Sequence, residues 1–475
     1  MLKISRKAYL LAAGLGMGMG WSWAPLAADE IRLADRADAI FADEPGELSL
    51  VLVDDQKKMC RQQERAWKQQ QRDMAKAMKA QEKCQAKAEK GACKQGRGPG
   101  FMSRCGDGIC GWCSGAGDNY LTGELGDPWT LNSVLWDNDP CNPPCFTLGG
   151  WTQVGYHNDS DGTFNTRPDV VQLHQQWLYL EKIADGSNGV GFGGRIDAVY
   201  GTDGPNTQAF GNNFGKYDFG PNFQYAGQYG LAIPQAYAQV AYDKLSVKVG
   251  HFFTLQGYEV VAATGNFFYS HALSMNFIEP FTHTGAVATY TASEQLELYG
   301  GWVAGWDTGF DNFNGSSAWH GGAKVTPVED FSIIYTSTAG NLGWIGDGYS
   351  QSVIATTNVT DELTSVFGGD LVHTNQAVYA PGTTLNALSL YNYLIYQITD
   401  HAGVGMRNEW VKVDGISYNS FTVGVNYKPI ANLVIRPEYR YNYSAVADNN
   451  PPGGRNPLGI GVNESIFGID AVLSY

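Results

Sequence analysis

From residue 146 to the end, the chain repeats one pattern. Segments of about ten residues alternate apolar with polar side chains and are separated by turn residues. Sixteen such segments can be drawn: 146–157, 170–182, 190–200, 231–242, 245–255, 281–292, 295–306, 317–326, 329–338, 349–360, 362–374, 386–399, 402–413, 419–427, 431–443 and 464–475. The connections follow a parity. Those after even-numbered segments are short, such as Asp243-Lys244, Asp361 and Asp400-His401. Those after odd-numbered segments are longer: 158–169, 201–230, 256–280, 307–316, 339–348, 375–385 and 444–463, with only 414–418 as short as a turn. Short turns at one end and long loops at the other are the mark of a transmembrane β-barrel. A soluble sandwich has no reason to keep that parity. The pattern therefore predicts an all-β fold: a closed antiparallel transmembrane barrel of about sixteen strands, range 14–18, preceded by a small helical, Cys-rich segment.

The faces of the strands say what the barrel encloses. In 431–443, Leu433, Ile435, Pro437, Tyr439, Tyr441 and Tyr443 share one face, and Arg436, Glu438 and Arg440 share the other. In 402–413, Val404, Met406 and Trp410 oppose Arg407 and Glu409; in 190–200, Phe192, Ile196, Ala198 and Tyr200 oppose Arg195 and Asp197. A cation on the lipid face costs roughly 2–4 kcal/mol at the bilayer midplane, so the charged faces must turn inward. About sixteen strands enclose more space than wall side chains alone can fill, which favours a water-filled channel. Arg195, Asp197, Lys248, Arg407, Glu409, Arg436, Glu438 and Arg440 are the candidate pore-lining residues. Cross-strand Arg–Glu pairs acting as structural glue are the alternative use of the same charges. Connection 256–280, QGYEVVAATGNFFYSHALSMNFIEP, is too aromatic for a solvated loop. It is expected to fold into the lumen, with Glu259, His271 and Glu279 as candidate constriction residues. The alternative is an external loop against a neighbour or lipopolysaccharide.

The chain ends on Phe467, Ile469, Ala471, Leu473 and Tyr475 with one spacing of two. Such an aromatic, alternating terminus is what barrel assembly machinery reads, so Phe467, Ile469, Leu473 and Tyr475 form a candidate assembly signal. At the other end, Lys3, Arg6 and Lys7 precede the apolar run Leu10–Trp23 and the exit Leu26-Ala27-Ala28, which reads as a secretory signal over 1–28. No later run of 18 apolar residues provides a helical span.

Residues 29–145 differ from the rest. All eight cysteines, Cys60, Cys84, Cys93, Cys105, Cys110, Cys113, Cys141 and Cys145, precede Phe146, where the domain border is placed. Export favours disulfides, with pairing left open. A zinc site is the runner-up, and the resemblance of the Cys105, Cys110, Cys113, Cys141 spacing to a [2Fe–2S] pattern is judged accidental. No metal or cofactor is therefore expected. Helix formers dominate about 54–94, with a thin stripe of Cys60, Trp67 and Met74, and residues of about 95–145 are rich in Cys, Gly and Pro. The formal net charge of −15 falls wholly after residue 145, which argues against nucleic-acid binding.

Several segments resemble one known family. They are GHFFTLQGYEVVAA (Gly250–Ala263), NFFYSH (Asn266–His271), EPFTHTG (Glu279–Gly285), GWDTGFDNF (Gly305–Phe313) and IRPEYRYN (Ile435–Asn442). Together they are similar to the OmpL-like β-barrel porins of Gram-negative outer membranes. The resemblance implies an outer-membrane location and a porin role, with no catalytic or ligand residues to carry over. The expected partners are outer-membrane lipid, barrel assembly machinery, small solutes or ions and other copies of the chain. The expected function is passive diffusion through a channel, without enzymatic chemistry. The alternative is a structural anchor whose segment 29–145, placed in the periplasm, contacts the cell wall or other subunits.

Overall fold

The computed structural model describes residues 125–135, 146–221, 223–225, 227–311, 313–375, 385–445, 458 and 460–475. The expected secretory signal, the helix of about 54–94 and all eight cysteines lie outside them.

Sixteen antiparallel strands close into one barrel. They are β1 (Thr147–His157), β2 (Gln172–Lys182), β3 (Gly191–Gly201), β4 (Gly230–Tyr242), β5 (Leu245–Phe253), β6 (Thr282–Ser293), β7 (Leu296–Val303), β8 (Ser317–Val328), β9 (Phe331–Asn341), β10 (Asp347–Asn358), β11 (Leu363–Thr374), β12 (Asn386–Thr399), β13 (Ala402–Val413), β14 (Ile416–Ile430), β15 (Leu433–Tyr443) and β16 (Glu464–Ser474). Each strand pairs with its neighbours in sequence, and β1 pairs with β16 from Trp151↔Ser474 to His157↔Gly468. That last pairing removes both free edges, so every strand finds its hydrogen-bond partners without water.

The expected parity of short and long connections is present. One departure is β14, which begins at Ile416 rather than near 419. Asp414 (φ 48°) and Gly415 (φ 90°) supply a two-residue hairpin turn, so the strand starts at once. Short helices occur in the connections: α1 (Leu131–Leu135) before the barrel, α2 (Gly204–Thr207) after β3 and α3 (Leu273–Phe277) between β5 and β6.

Alternation decides the faces. Phe192, Ile196, Phe367, Phe421, Phe467 and Ile469 are exposed on the outside, while Arg407, Glu409, Arg436, Glu438, Arg440 and Asp470 are buried inside. The long-loop half of the interior is packed with apolar side chains. Val287, Val303, Ala318, Val372, Val411 and Val413 of the wall meet Leu273 and Ile278 of connection 254–281.

The end of the chain is clasped on the short-turn side. The Tyr475 ring stacks on Trp129 at 6.2 Å. Trp129 N–H donates to Asn432 Oδ1 at 3.0 Å, and Asn432 Nδ2 donates to Trp129 O at 2.7 Å.

Candidate functional site

Connection 254–281 runs inside the barrel, and its contacts with the inner wall trace its path. Gln256 Oε1 accepts from Ser350 Oγ of β10 at 2.8 Å, and Gly257 N–H donates to Ser352 at 3.1 Å. Glu259 then meets β12 and β13, where its Oε1 accepts from Tyr393 at 2.9 Å and from Arg407 Nη1 at 2.7 Å. Further on, Arg436 of β15 donates to the carbonyls of Ala263 and Asn266, both at 2.9 Å. Tyr269 and Ser270 N–H donate to Glu438 at 2.8 and 3.1 Å, and Arg440 donates to His271 O at 2.8 Å. Tyr269 Oη lies 2.6 Å from His174 Nε2 of β2. Leu273 N–H, opening α3, donates to Glu409 at 2.7 Å.

A segment without regular structure has many backbone groups to satisfy, and water is scarce here. The wall meets this need with guanidinium donors for carbonyls and carboxylate acceptors for N–H groups, which are the stronger kind of hydrogen bond. The charges also neutralise one another. Arg436 Nε donates to Asp470 at 2.9 Å, and Arg407 Nε lies 3.0 Å from Glu409 Oε2, close as an ion pair but not aligned as a hydrogen bond. Burial alone would raise the Glu259 carboxyl. Arg407, His271 and the Ala272 N–H outweigh it and hold the group at about 2.

Shape matters as much as charge. A Cβ on Gly405 would lie 2.5 Å from the Phe267 ring, and one on Gly155 would lie 2.6 Å from Tyr269 Oη. The bare backbone at these wall positions is what seats the Phe267–Tyr269 aromatics.

The wall from β3 to β8 is different, and so is the neighbouring short-turn end of β2. Arg195 donates to Asp197 at 2.6 Å and to Glu181 at 3.2 Å, and its guanidinium stacks over Tyr179 at 4.1 Å. Its side chain keeps 19% exposure, whereas that of Arg407 keeps none. Lys248 Nζ stands 4.8 Å above the Tyr237 ring, and Glu297 is registered opposite Lys324. Asp197 is fully buried and also accepts from Trp177 Nε1 at 2.8 Å, whereas Arg195, Lys248, Glu297 and Lys324 are half-buried and line the short-turn half of the interior.

The eight expected lining residues therefore divide. Arg195 and Lys248 sit partly exposed on the open wall, and Asp197, on the same wall, is fully buried. Arg407, Glu409, Arg436, Glu438 and Arg440 face inward as their alternation requires, but protein covers them instead of water. Glu259 and His271 lie within the inserted segment, 3.6 Å apart. Burial, together with nearby Asp370, pushes Glu279 well above the usual carboxylate range. Glu279 lines a cleft of about 340 Å³ on the long-loop side, with Asn206, Phe210, Phe281, Trp306 and Asp307. Tyr393, Gly155 and Gly405 were not legible as site residues, because their roles depend on a segment more than a hundred positions away.

No curated protein matches the chain. Among solved structures, an anion-selective porin from Comamonas acidovorans is 12% identical with TM-score 0.48, covering 70% of this chain and 99% of that one. The outer membrane protein OmpT of Vibrio cholerae, in its trimer form, is 12% identical with TM-score 0.46, covering 70% and 99%. The outer membrane channel DcaP of Acinetobacter baumannii is 13% identical with TM-score 0.46, covering 70% and 97%. The model of the family described as "Putative beta-barrel porin-2, OmpL-like" matches residues 145–475, and the chain belongs to that family.

Proposed function

We propose that small solutes cross this outer-membrane porin between the inserted segment and the β3–β8 wall. The observation that carries this reading is the asymmetry of the interior. Along β10, β12, β13 and β15, polar groups of the wall are engaged by the segment. Along β3 to β8, Arg195, Lys248, Glu297 and Lys324 stay partly exposed inside the barrel. Solutes enter through the cleft beside Glu279 and Asp307 and leave past the mixed charges of the short-turn half, which faces the periplasm. Passage is passive, graded by size, and involves no chemistry on the solute.

Swelling of liposomes carrying the full chain, in solutes of graded size, tests this. Small sugars and amino acids should enter and oligosaccharides should not. Liposomes with correctly inserted protein that exclude even the smallest solutes would contradict it. A second role, as an envelope anchor, is supported by the clasp of Trp129 on Asn432 and Tyr475, which ties the pre-barrel segment to the short-turn end. Removing residues 29–124 should leave swelling intact and weaken envelope attachment if that role holds.

A further inference from the structure

The outer face of the barrel carries polar groups where only hydrocarbon is expected. Asn392 of β12 and Asn408 of β13 are registered opposite each other, alternate with the inward Tyr391, Tyr393, Arg407 and Glu409, and so face outward. Each stands at least five residues from either end of its strand. A tilted strand of about 9–11 residues crosses the hydrocarbon, so these amides sit within it. The register extends on both sides into a single row across five strands, Phe367–Asn392–Asn408–Phe421–Tyr441. Phe367 and Phe421, which flank the amides, are 50% and 40% exposed.

The barrel satisfies these amides only in part. Asn392 Nδ2 donates to Val366 O at 3.0 Å, and its Oδ1 accepts nothing among the described residues. Asn408 makes no side-chain hydrogen bond among them. The contrast with Gln176 of β2 is direct. Gln176 also faces outward at mid-strand, but its Oε1 accepts from Thr152 Oγ1 at 2.9 Å and its Nε2 donates to Tyr475 Oη. One wall thus closes its amide within the barrel, and the other leaves its amides open. Acyl chains neither donate nor accept, and an unsatisfied polar group in hydrocarbon costs several kcal/mol.

We propose that the β11–β14 face is the docking surface for a second copy of this chain, with Asn408 and Asn392 hydrogen-bonded across the interface. A carboxamide both donates and accepts, so it complements itself. Around a symmetry axis along the membrane normal, each Asn408 meets its counterpart at the same depth. Phe367 and Phe421 then close over the amides and exclude lipid. A lipid headgroup is a poorer occupant, because it lies at the bilayer surface and not at mid-strand depth.

Sedimentation or native mass spectrometry of the full chain in mild detergent tests the pairing. The wild type should be oligomeric, and the double variant Asn392→Leu, Asn408→Leu should dissociate at protein concentrations about tenfold higher or more. Asn408→Gln, which keeps an amide, should stay near wild type. Leucine on the lipid face suits insertion, and retained heat-modifiable mobility will show that the barrel has folded. A photoreactive phenylalanine analogue in place of Trp410, beside the row, should cross-link to another copy, whereas one in place of Val249 on the opposite wall should not. A monomeric wild type, a leucine variant that assembles like wild type, or cross-links from Trp410 to lipid alone would each overturn the proposal.

Discussion

Two walls of one barrel use the same residue types for opposite ends. Along β13 and β15, Arg407, Glu409, Arg436, Glu438 and Arg440 are buried and hydrogen-bonded to the inserted segment. Along β2 to β8, Glu181, Arg195 and Lys248 are paired more loosely or stand against aromatic faces, and they keep contact with the lumen. What separates them is not composition but whether another stretch of chain arrives to take up the donors and acceptors. Desolvating an arginine is tolerated only with full compensation. The first wall therefore marks where the segment must stay, and the short-turn half of the second marks where it need not be.

The largest effect is expected from Arg407→Met. It leaves Glu259 buried without its main counter-charge, which should cost about 3–5 kcal/mol. Lys248→Met on the open wall should cost under about 1 kcal/mol, because its half-buried ammonium stands over the Tyr237 ring at 4.8 Å and leaves no buried carboxylate behind. Chemical unfolding in detergent compares the two, and equal losses would erase the distinction between the walls.

Filling the aromatic seat should come next. Gly405→Leu places a side chain where Phe267 lies and should destabilise the barrel by about 1–3 kcal/mol while releasing the segment. Larger and noisier single-channel currents would report the release.

Acid should act on the closed wall alone. Glu259 is held at about 2 against an ordinary value of 4.5. Its folded pKa is depressed, so its stabilisation is fully present above 4.5 and is lost as pH falls towards 2. Conductance should therefore rise reversibly between those values. Glu259→Gln should remove that rise, starting from an already loosened state. An unchanged acid response in the variant would assign the effect to other groups.

Much of this fold was legible because a barrel writes itself in period two. β12 and β13 could be bounded to the residue, since Asp400-His401 separates two clean alternations. β14 was drawn too short because Asp414-Gly415 turns in two residues where a five-residue loop was expected. The inward facing of Arg436, Glu438 and Arg440 was equally plain. What met them was not, because alternation distinguishes lipid from non-lipid and treats water and buried protein alike. The aromatic content of 256–280 was the one signal that the segment belonged inside. Gly155 and Gly405 gave none, since a glycine in a strand has many uses and this one depends on a ring brought close only by the fold.

The smallest structural change should give the most direct reading of the passage. Lys248→Glu on the open wall should leave folding within about 1 kcal/mol of wild type, because the group is half-buried and exposed pairs contribute little. The measurement is the reversal potential of the channel in a salt gradient, wild type against Lys248→Glu, with Arg436→Gln as the closed-wall comparison. The expected result is a clear shift towards cations for Lys248→Glu and little change for folded Arg436→Gln. An inserted protein that does not conduct, or a shift from Arg436→Gln with none from Lys248→Glu, would contradict a passage along the β3–β8 wall.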